Sequence, residues 1–254
     1  MVISQHDAAR EQPHRIAIVC HKGANNVAPE NTYAAARQAI AWGADVIEVD
    51  VWTTRDGEMV MLHDRTVDRT TDGSGHILAL TLPEVRALDA GSWFSPRFAG
   101  ERVPVLREFL QWIKGKAGIF FDVKFAHPQQ LLDLIDEVGV RDECFIWSGS
   151  KALMKLIHEL DDEIPLKVNV GSVDDVIAAD KELGARIVEV RLDKMSPALV
   201  EACRERSIKV MINEMREDAE ALRRVIAWEP DMVNLDHADL LLATLREASG
   251  SETT

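Results

Sequence analysis

Short apolar runs of strand length alternate with longer stretches of helical period along the chain, and this rhythm constrains the fold more than any other feature. Eight runs read as strands, at 16–21, 45–51, 118–125, 144–148, 166–170, 186–192, 208–215 and 231–236. Between them, "NTYAAARQAIAWG", "PQQLLDLIDEVG", "KALMKLIHELD", "VDDVIAADKELG", "SPALVEACRERS" and "EDAEALRRVIAW" have the spacing of amphipathic helices. Pro197 sits early in its helix, while Gly43, Gly139 and Gly184 stand where helices end, often on a left-handed residue. Strand and helix repeated in this way predict an α/β fold, a TIM (β/α)8 barrel. A chain of 254 residues suits one such barrel, so residues 1–254 are expected to form a single domain.

One segment interrupts the rhythm. Residues 52–111 are too many for one crossover helix, and "TTRDGEMVMLHD" carries Asp56-Gly57 between two extended runs, a hairpin signal. A small hairpin-containing insertion after the second strand is therefore expected, continuing through "RTTDGSG" and "GSWFSPRFAGERVP". The polar tail "SGSETT" reads as frayed.

Side chains alternate faces along a strand, so the second strand sorts into two sets. Ile47, Val49 and Val51 are expected to pack on helices, which turns Glu48 and Asp50 inward. By the same parity Asp122 and Lys124 point inward and Phe121, Val123 and Phe125 outward; Glu189, Arg191, Asn234 and Asp236 join the inner set. A single inward carboxylate is equally well explained by a salt bridge at the rim. Glu48, Asp50 and Asp122 together, near the C-terminal ends of neighbouring strands, are costly to bury unless paired or bound to a cation. Oxygen ligands alone suit Mg²⁺ or Ca²⁺. His21 ends the first strand and His63 ends the returning arm of the hairpin, so both are placed beside this cluster as a candidate acid and base. His6, His14, His76, His127, His158 and His237 have no comparable setting.

A net charge of −14 argues against a nucleic-acid partner, because phosphate backbones are held by clustered Lys and Arg. Cys20, Cys144 and Cys203 form neither a C-x-x-C pair nor a disulfide framework. The N-terminal "MVISQHDAAREQPHR" lacks an apolar core, and no apolar run reaches the ~20 residues needed to span a bilayer. A cytoplasmic protein without stable membrane association is expected, and a homo-oligomer stays open.

Together "HKGANNVAPENT", "GADVIEVDVWTTRDGEMVMLHD", "DRTTDGSG", "LDAGSWFSPRFAGERVPVL" and "VNLDHADLL" resemble the glycerophosphodiester phosphodiesterases, from His21 to about Leu242. The resemblance implies a metal-dependent hydrolase that cleaves glycerophosphodiesters to glycerol 3-phosphate and an alcohol. It assigns His21 and His63 to acid and base catalysis and Glu48, Asp50 and Asp122 to the metal. It places Lys22 and Lys124 against the phosphate, with Glu30 and Asn31 supporting the site. It also implies that a neighbouring hydroxyl of the substrate attacks phosphorus, giving a cyclic phosphate that water later opens. Four departures from the family pattern stand out: Lys22 where arginine is usual, Asp122 where glutamate is usual, "VMINEM" without the usual tryptophan, and "FIWSGS" where the fourth strand usually ends in Ser-Phe. They leave open a sugar phosphodiester of the agrocinopine type as substrate and a degenerate barrel that binds phosphorylated ligands without turnover; a lyase that stops at the cyclic phosphate is a third alternative.

Overall fold

The computed structural model describes residues 16–251; residues 1–15, with the N-terminal segment considered above, and 252–254 lie outside them. Among the described residues nine strands form one sheet: β1 Ala17–Cys20, β2 Val46–Thr53, β3 Met59–Met61, β4 Gly118–Val123, β5 Cys144–Trp147, β6 Lys167–Val170, β7 Ile187–Arg191, β8 Lys209–Asn213 and β9 Met232–Leu235. Eight of them run parallel in the order β5-β4-β2-β1-β9-β8-β7-β6. A bridge between Ile146 and Leu166 joins the two ends of that series. The expected barrel is present. β3 pairs antiparallel with β2, opposing Trp52 to Val60, and makes the hairpin that Asp56-Gly57 announced.

The helices are α1 Tyr33–Trp42, α2 Leu82–Ala87, α3 Leu106–Ile113, α4 Pro128–Val138, α5 Lys151–Leu160, α6 Val173–Leu183, α7 Pro197–Arg204, α8 Ala219–Ala227 and α9 Ala238–Ser251. Their ends follow local chemistry. Thr32, Ser150, Ser172, Ser196 and Asp218 accept hydrogen bonds from backbone N–H groups in the first turn of their helices. Gly43, Gly139 and Gly184 close three helices at positive φ, as expected. α9 runs to Ser251, so the first residues of the polar tail continue the helix. α3 is the crossover helix between β2 and β4, and the added segment lies before it. That segment has its own small core, built on Val60, Leu62, Val67, Ile77, Val85, Ala90 and Val103.

Parity divides the barrel interior into two levels. Ala17, Val19, Val46, Phe120, Phe145, Ile187, Met211 and Met232 fill the lower level with apolar side chains. Above them Glu48, Asp50, Asp122, Glu189 and Asn234 are buried polar groups. Two parity expectations fail at strand ends. β4 stops at Val123, so Phe125 is 51% exposed instead of packed on helices. Arg191 closes β7 at the rim, exposed and paired with Asp193. No helix among the described residues is long and apolar enough to cross a membrane.

Candidate active site

Strand register creates the acidic cluster. Asp50 on β2 lies directly opposite Asp122 on β4, and Glu48 is one inward step below Asp50. Ligand oxygens of Glu48, Asp50 and Asp122 all lie within 4.8 Å of one another, in a buried setting. Asp122 Oδ1 has no hydrogen-bond partner, and Asp50 Oδ1 meets the Lys124 ammonium at 3.0 Å as an ion pair without hydrogen-bond geometry. Lys124 Nζ also donates to Asp122 Oδ2 at 2.5 Å. One ammonium thus serves two of the three carboxylates, and Glu48 has no share in it. Burial raises the Glu48 pKa to about 7, helped by repulsion from Asp50, Asp122 and Glu189 and opposed by His21. Burial and the charge of Asp50 likewise raise Asp122, against the pull of Lys124. A divalent cation would reverse this repulsion and meet the free oxygens, so the donor set fits a hard metal ion.

Asn31 belongs to the same structure. Its Nδ2 donates to Asp50 Oδ2 at 2.6 Å, and its Oδ1 accepts from the Asp50 backbone N–H at 3.0 Å. Asn31 holds a left-handed φ of 56° to do so. The β1–α1 loop approaches α1 closely at Gly23, where an added Cβ would stand 2.8 Å from that of Ala35.

Both candidate histidines are held at Nδ1 by a carboxylate. His21 Nδ1 lies 2.7 Å from Asp236 Oδ1, an oxygen that also accepts from Asn25 Nδ2 at 2.5 Å. Burial opposes ionisation of Asp236, but the bond to His21 and its charge, with the Asn25 amide and the charge of Lys22, together outweigh it and the pKa is lowered. The ionised carboxylate accepts, so Nδ1 carries the proton and Nε2 is left facing the cluster, 3.8 Å from Glu48 Oε1. Burial tends to lower the His21 pKa; Glu48 and Asp236 outweigh it, and the net shift is upward.

His63 repeats the arrangement from the other arm of the hairpin. The Leu62 N–H donates to the Asp50 carbonyl at 3.1 Å, which fixes the next residue beside the end of β2. His63 Nδ1 lies 2.7 Å from Asp64 Oδ1, and Trp52 Nε1 donates to the His63 carbonyl at 3.1 Å. Arg69 hydrogen-bonds Asp64 and lowers its pKa to about 2. The same guanidinium grips both Glu30 oxygens, at 2.9 and 2.7 Å, and Lys22 Nζ stands 3.7 Å from Glu30. Glu30 and Lys22 therefore sit in an ion network beside His63, one step removed from the acidic cluster.

Across the interior, Lys167 is buried with its ammonium bonded to Glu189 and Asn169. Glu189 Oε1 accepts from Asn213 and Asn234, each at 3.0 Å, and Asn234 Nδ2 reaches Glu48 Oε2 at 3.1 Å. Asp64, Arg69, Asn25, Lys167 and the pairing of Asp236 escaped sequence reasoning. Parity turned Asp236 inward, and the quoted motifs contain Asn25, Asp64 and Arg69 without giving any of them a role, while Lys167 lies in none of them.

A family model, the glycerophosphoryl diester phosphodiesterase family, matches residues 21–240. The chain belongs to that family. A glycerophosphodiester phosphodiesterase from Caldanaerobacter subterraneus subsp. tengcongensis is 32% identical, across 91% of this chain and 98% of that protein. A crystal structure of a glycerophosphodiester phosphodiesterase from Agrobacterium tumefaciens superposes with a TM-score of 0.87 at 33% identity, covering 90% of this chain and all of that one. An Oleispira antarctica phosphodiesterase, solved in complex with the product sn-glycerol-3-phosphate, shares the fold at a TM-score of 0.82 and 23% identity, across 91% of this chain and 96% of that one. Against a Bacillus subtilis relative at 47% identity the match spans 48% of this chain and 49% of that protein's length. Family membership places the protein among the phosphoric diester hydrolases.

Proposed function

We propose that the chain hydrolyses glycerophosphodiesters to glycerol 3-phosphate and an alcohol, using His21 and His63 as acid and base and Glu48, Asp50 and Asp122 to hold Mg²⁺ or Ca²⁺. The observation that carries this reading is the shared geometry of the histidines: each is held at Nδ1 by a carboxylate, which leaves Nε2 free to exchange a proton. The bound cation would supply Lewis-acid stabilisation of charge on the phosphoryl oxygens. Lys124, already beside Asp50 and Asp122, would bind the phosphate next to it. Asn31 keeps the Asp50 carboxylate in place. Lys22 and Glu30, linked through Arg69 to Asp64, would hold the His63 side of the site.

One histidine takes the proton from the attacking hydroxyl of the glycerol; the other gives one to the leaving alcohol. The P–O bond to the alcohol breaks as the ring P–O bond forms, and water opens the ring with the proton transfers reversed. The Oleispira neighbour in complex with sn-glycerol-3-phosphate supports the product assignment. Buried free thiols at Cys20, Cys144 and Cys203 suit a reducing compartment such as the cytoplasm.

The test is release of phosphomonoester from a panel of glycerophosphodiesters and sugar phosphodiesters by metal-supplemented protein. His21→Ala and His63→Ala should each lower kcat severely, and the double variant should be little worse than either, because partners in one reaction are non-additive. Near-normal kcat in a folded single variant would remove that histidine from the mechanism. Accumulation of cyclic phosphate without phosphomonoester would make the enzyme a lyase.

A further inference from the structure

The barrel wall is weakest between β5 and β6. β6 pairs with β7 over four registered residues, Lys167 to Val170, whereas among the described residues its link to β5 is the bridge at Ile146–Leu166. Beyond that bridge, toward the mouth, the two strands separate. A cleft of about 240 Å³ opens there between α5 and α6, with Trp147, Met154, Val168, Ala179 and Leu183 as its apolar lining and Ser148, Lys151, Asn169, Asp175 and Glu182 as its polar lining. Lys155 and Glu182 form an ion pair, 3.6 Å apart, that links the two helices over it. Protein interiors are otherwise close-packed, so an unfilled cleft with an apolar floor next to a polar site marks a place for a ligand.

Trp147 joins the cleft to the candidate site. Its backbone lies opposite Asp122, and its ring packs against both the inner apolar level and the helix-side core. The ring centroid is 6.0 Å from Lys124 Nζ and 4.2 Å from Lys167 Nζ. A phosphoryl group held by Lys124 would therefore have the Trp147 ring as its neighbour on this side. The same two ammonium groups already engage that ring, so a cationic headgroup would have to displace them to stack on it.

We propose that this cleft is the subsite for the alcohol half of the diester, and that the alcohol carries an uncharged alkyl or acyl chain that runs past Trp147 between α5 and α6. This rests on the phosphodiesterase reading given above. A chain in the cleft would exchange water for Met154, Val168, Ala179 and Leu183, so each methylene should add to binding until the space is full.

The experiment compares glycerophosphomethanol, glycerophosphobutanol, glycerophosphooctanol and glycerophosphocholine. kcat/KM should rise up to about fourfold per methylene along the alkyl series, with glycerophosphocholine near the methyl ester. Ala178 is exposed on α6 at the cleft wall, so substitutions there are tolerated by the fold. Ala178→Leu should move the optimum to a shorter chain, and Ala178→Trp should flatten the series. A series that is flat in the unaltered protein, or a chain dependence that survives Ala178→Trp, overturns the subsite. Calorimetric binding of octylphosphonate against methylphosphonate separates this failure from failure of the activity itself. Tighter octyl binding that is lost in Ala178→Trp supports the cleft even in a protein that turns over no diester, and equal binding of the two phosphonates rejects it.

Discussion

His21 and Asp236 stand 215 residues apart in sequence, and their Nδ1 and Oδ1 atoms are 2.7 Å apart at the mouth of the barrel. The contact exists because β1 and β9 are neighbours in register, with Cys20 opposite Leu235, so the residues that follow each strand emerge side by side. It sets which imidazole nitrogen is protonated and aims the other at the acidic cluster.

Asp236→Asn should therefore leave the fold and metal affinity intact while lowering kcat by about a hundredfold or more, the usual worth of a well-placed acid or base. Steady-state kinetics beside calorimetric metal titration would check this. A kcat within a few-fold of the unaltered enzyme would mean that His21 needs no carboxylate to orient it.

Removal of divalent cations should abolish turnover, and Mg²⁺ or Ca²⁺ should restore it. Added cation should also raise the thermal midpoint, because it relieves repulsion among Glu48, Asp50, Asp122 and Glu189, which now helps hold Glu48 near a pKa of 7. In Asp122→Asn the cation-dependent rise should shrink markedly. Full activity in exhaustive chelator would remove the metal from the reaction.

The Asp64 carboxyl, held by Arg69 and His63, titrates near 2 in the fold, below its ordinary 3.8. A depressed folded pKa stabilises the protein above the unfolded value, and that contribution is lost as pH falls from about 4 toward 2. Asp64→Asn should therefore be less stable than the parent at pH 7, and the gap in urea midpoint should narrow as the buffer is taken from pH 5 to pH 3. A gap constant with pH would mean that the ionised form of Asp64 contributes nothing.

Lys167 is 1% exposed and its ion partner Glu189 is 7% exposed. Lys167→Met should cost about 3 to 5 kcal/mol, because it leaves a buried carboxylate without its cation. Lys167→Met with Glu189→Gln should recover much of that loss. Denaturant unfolding of both variants decides the matter, and a single variant as stable as the parent would show that Glu189 is neutral or solvated.

Much of this protein was legible in the chain itself, since the periods of strand and helix are local properties of sequence. They predicted the eight parallel strands, their helices and the hairpin at Asp56-Gly57. Strand parity alone turned Glu48, Asp50 and Asp122 inward, because alternate side chains must face opposite sides of a sheet. Parity failed at Phe125 and Arg191, where the strand ends and the backbone no longer dictates direction. Apart from the adjacent pair His63–Asp64, the partners of the site residues were set by tertiary structure. Asp236 meets His21 because the barrel brings its first and last strands together, and Arg69 meets Glu30 because the insertion folds back over the β1–α1 loop. Lys167 finds Glu189 through the register of β6 on β7. Each pairing depends on which strands and loops become neighbours in the closed barrel, a long-range outcome that no local spacing records.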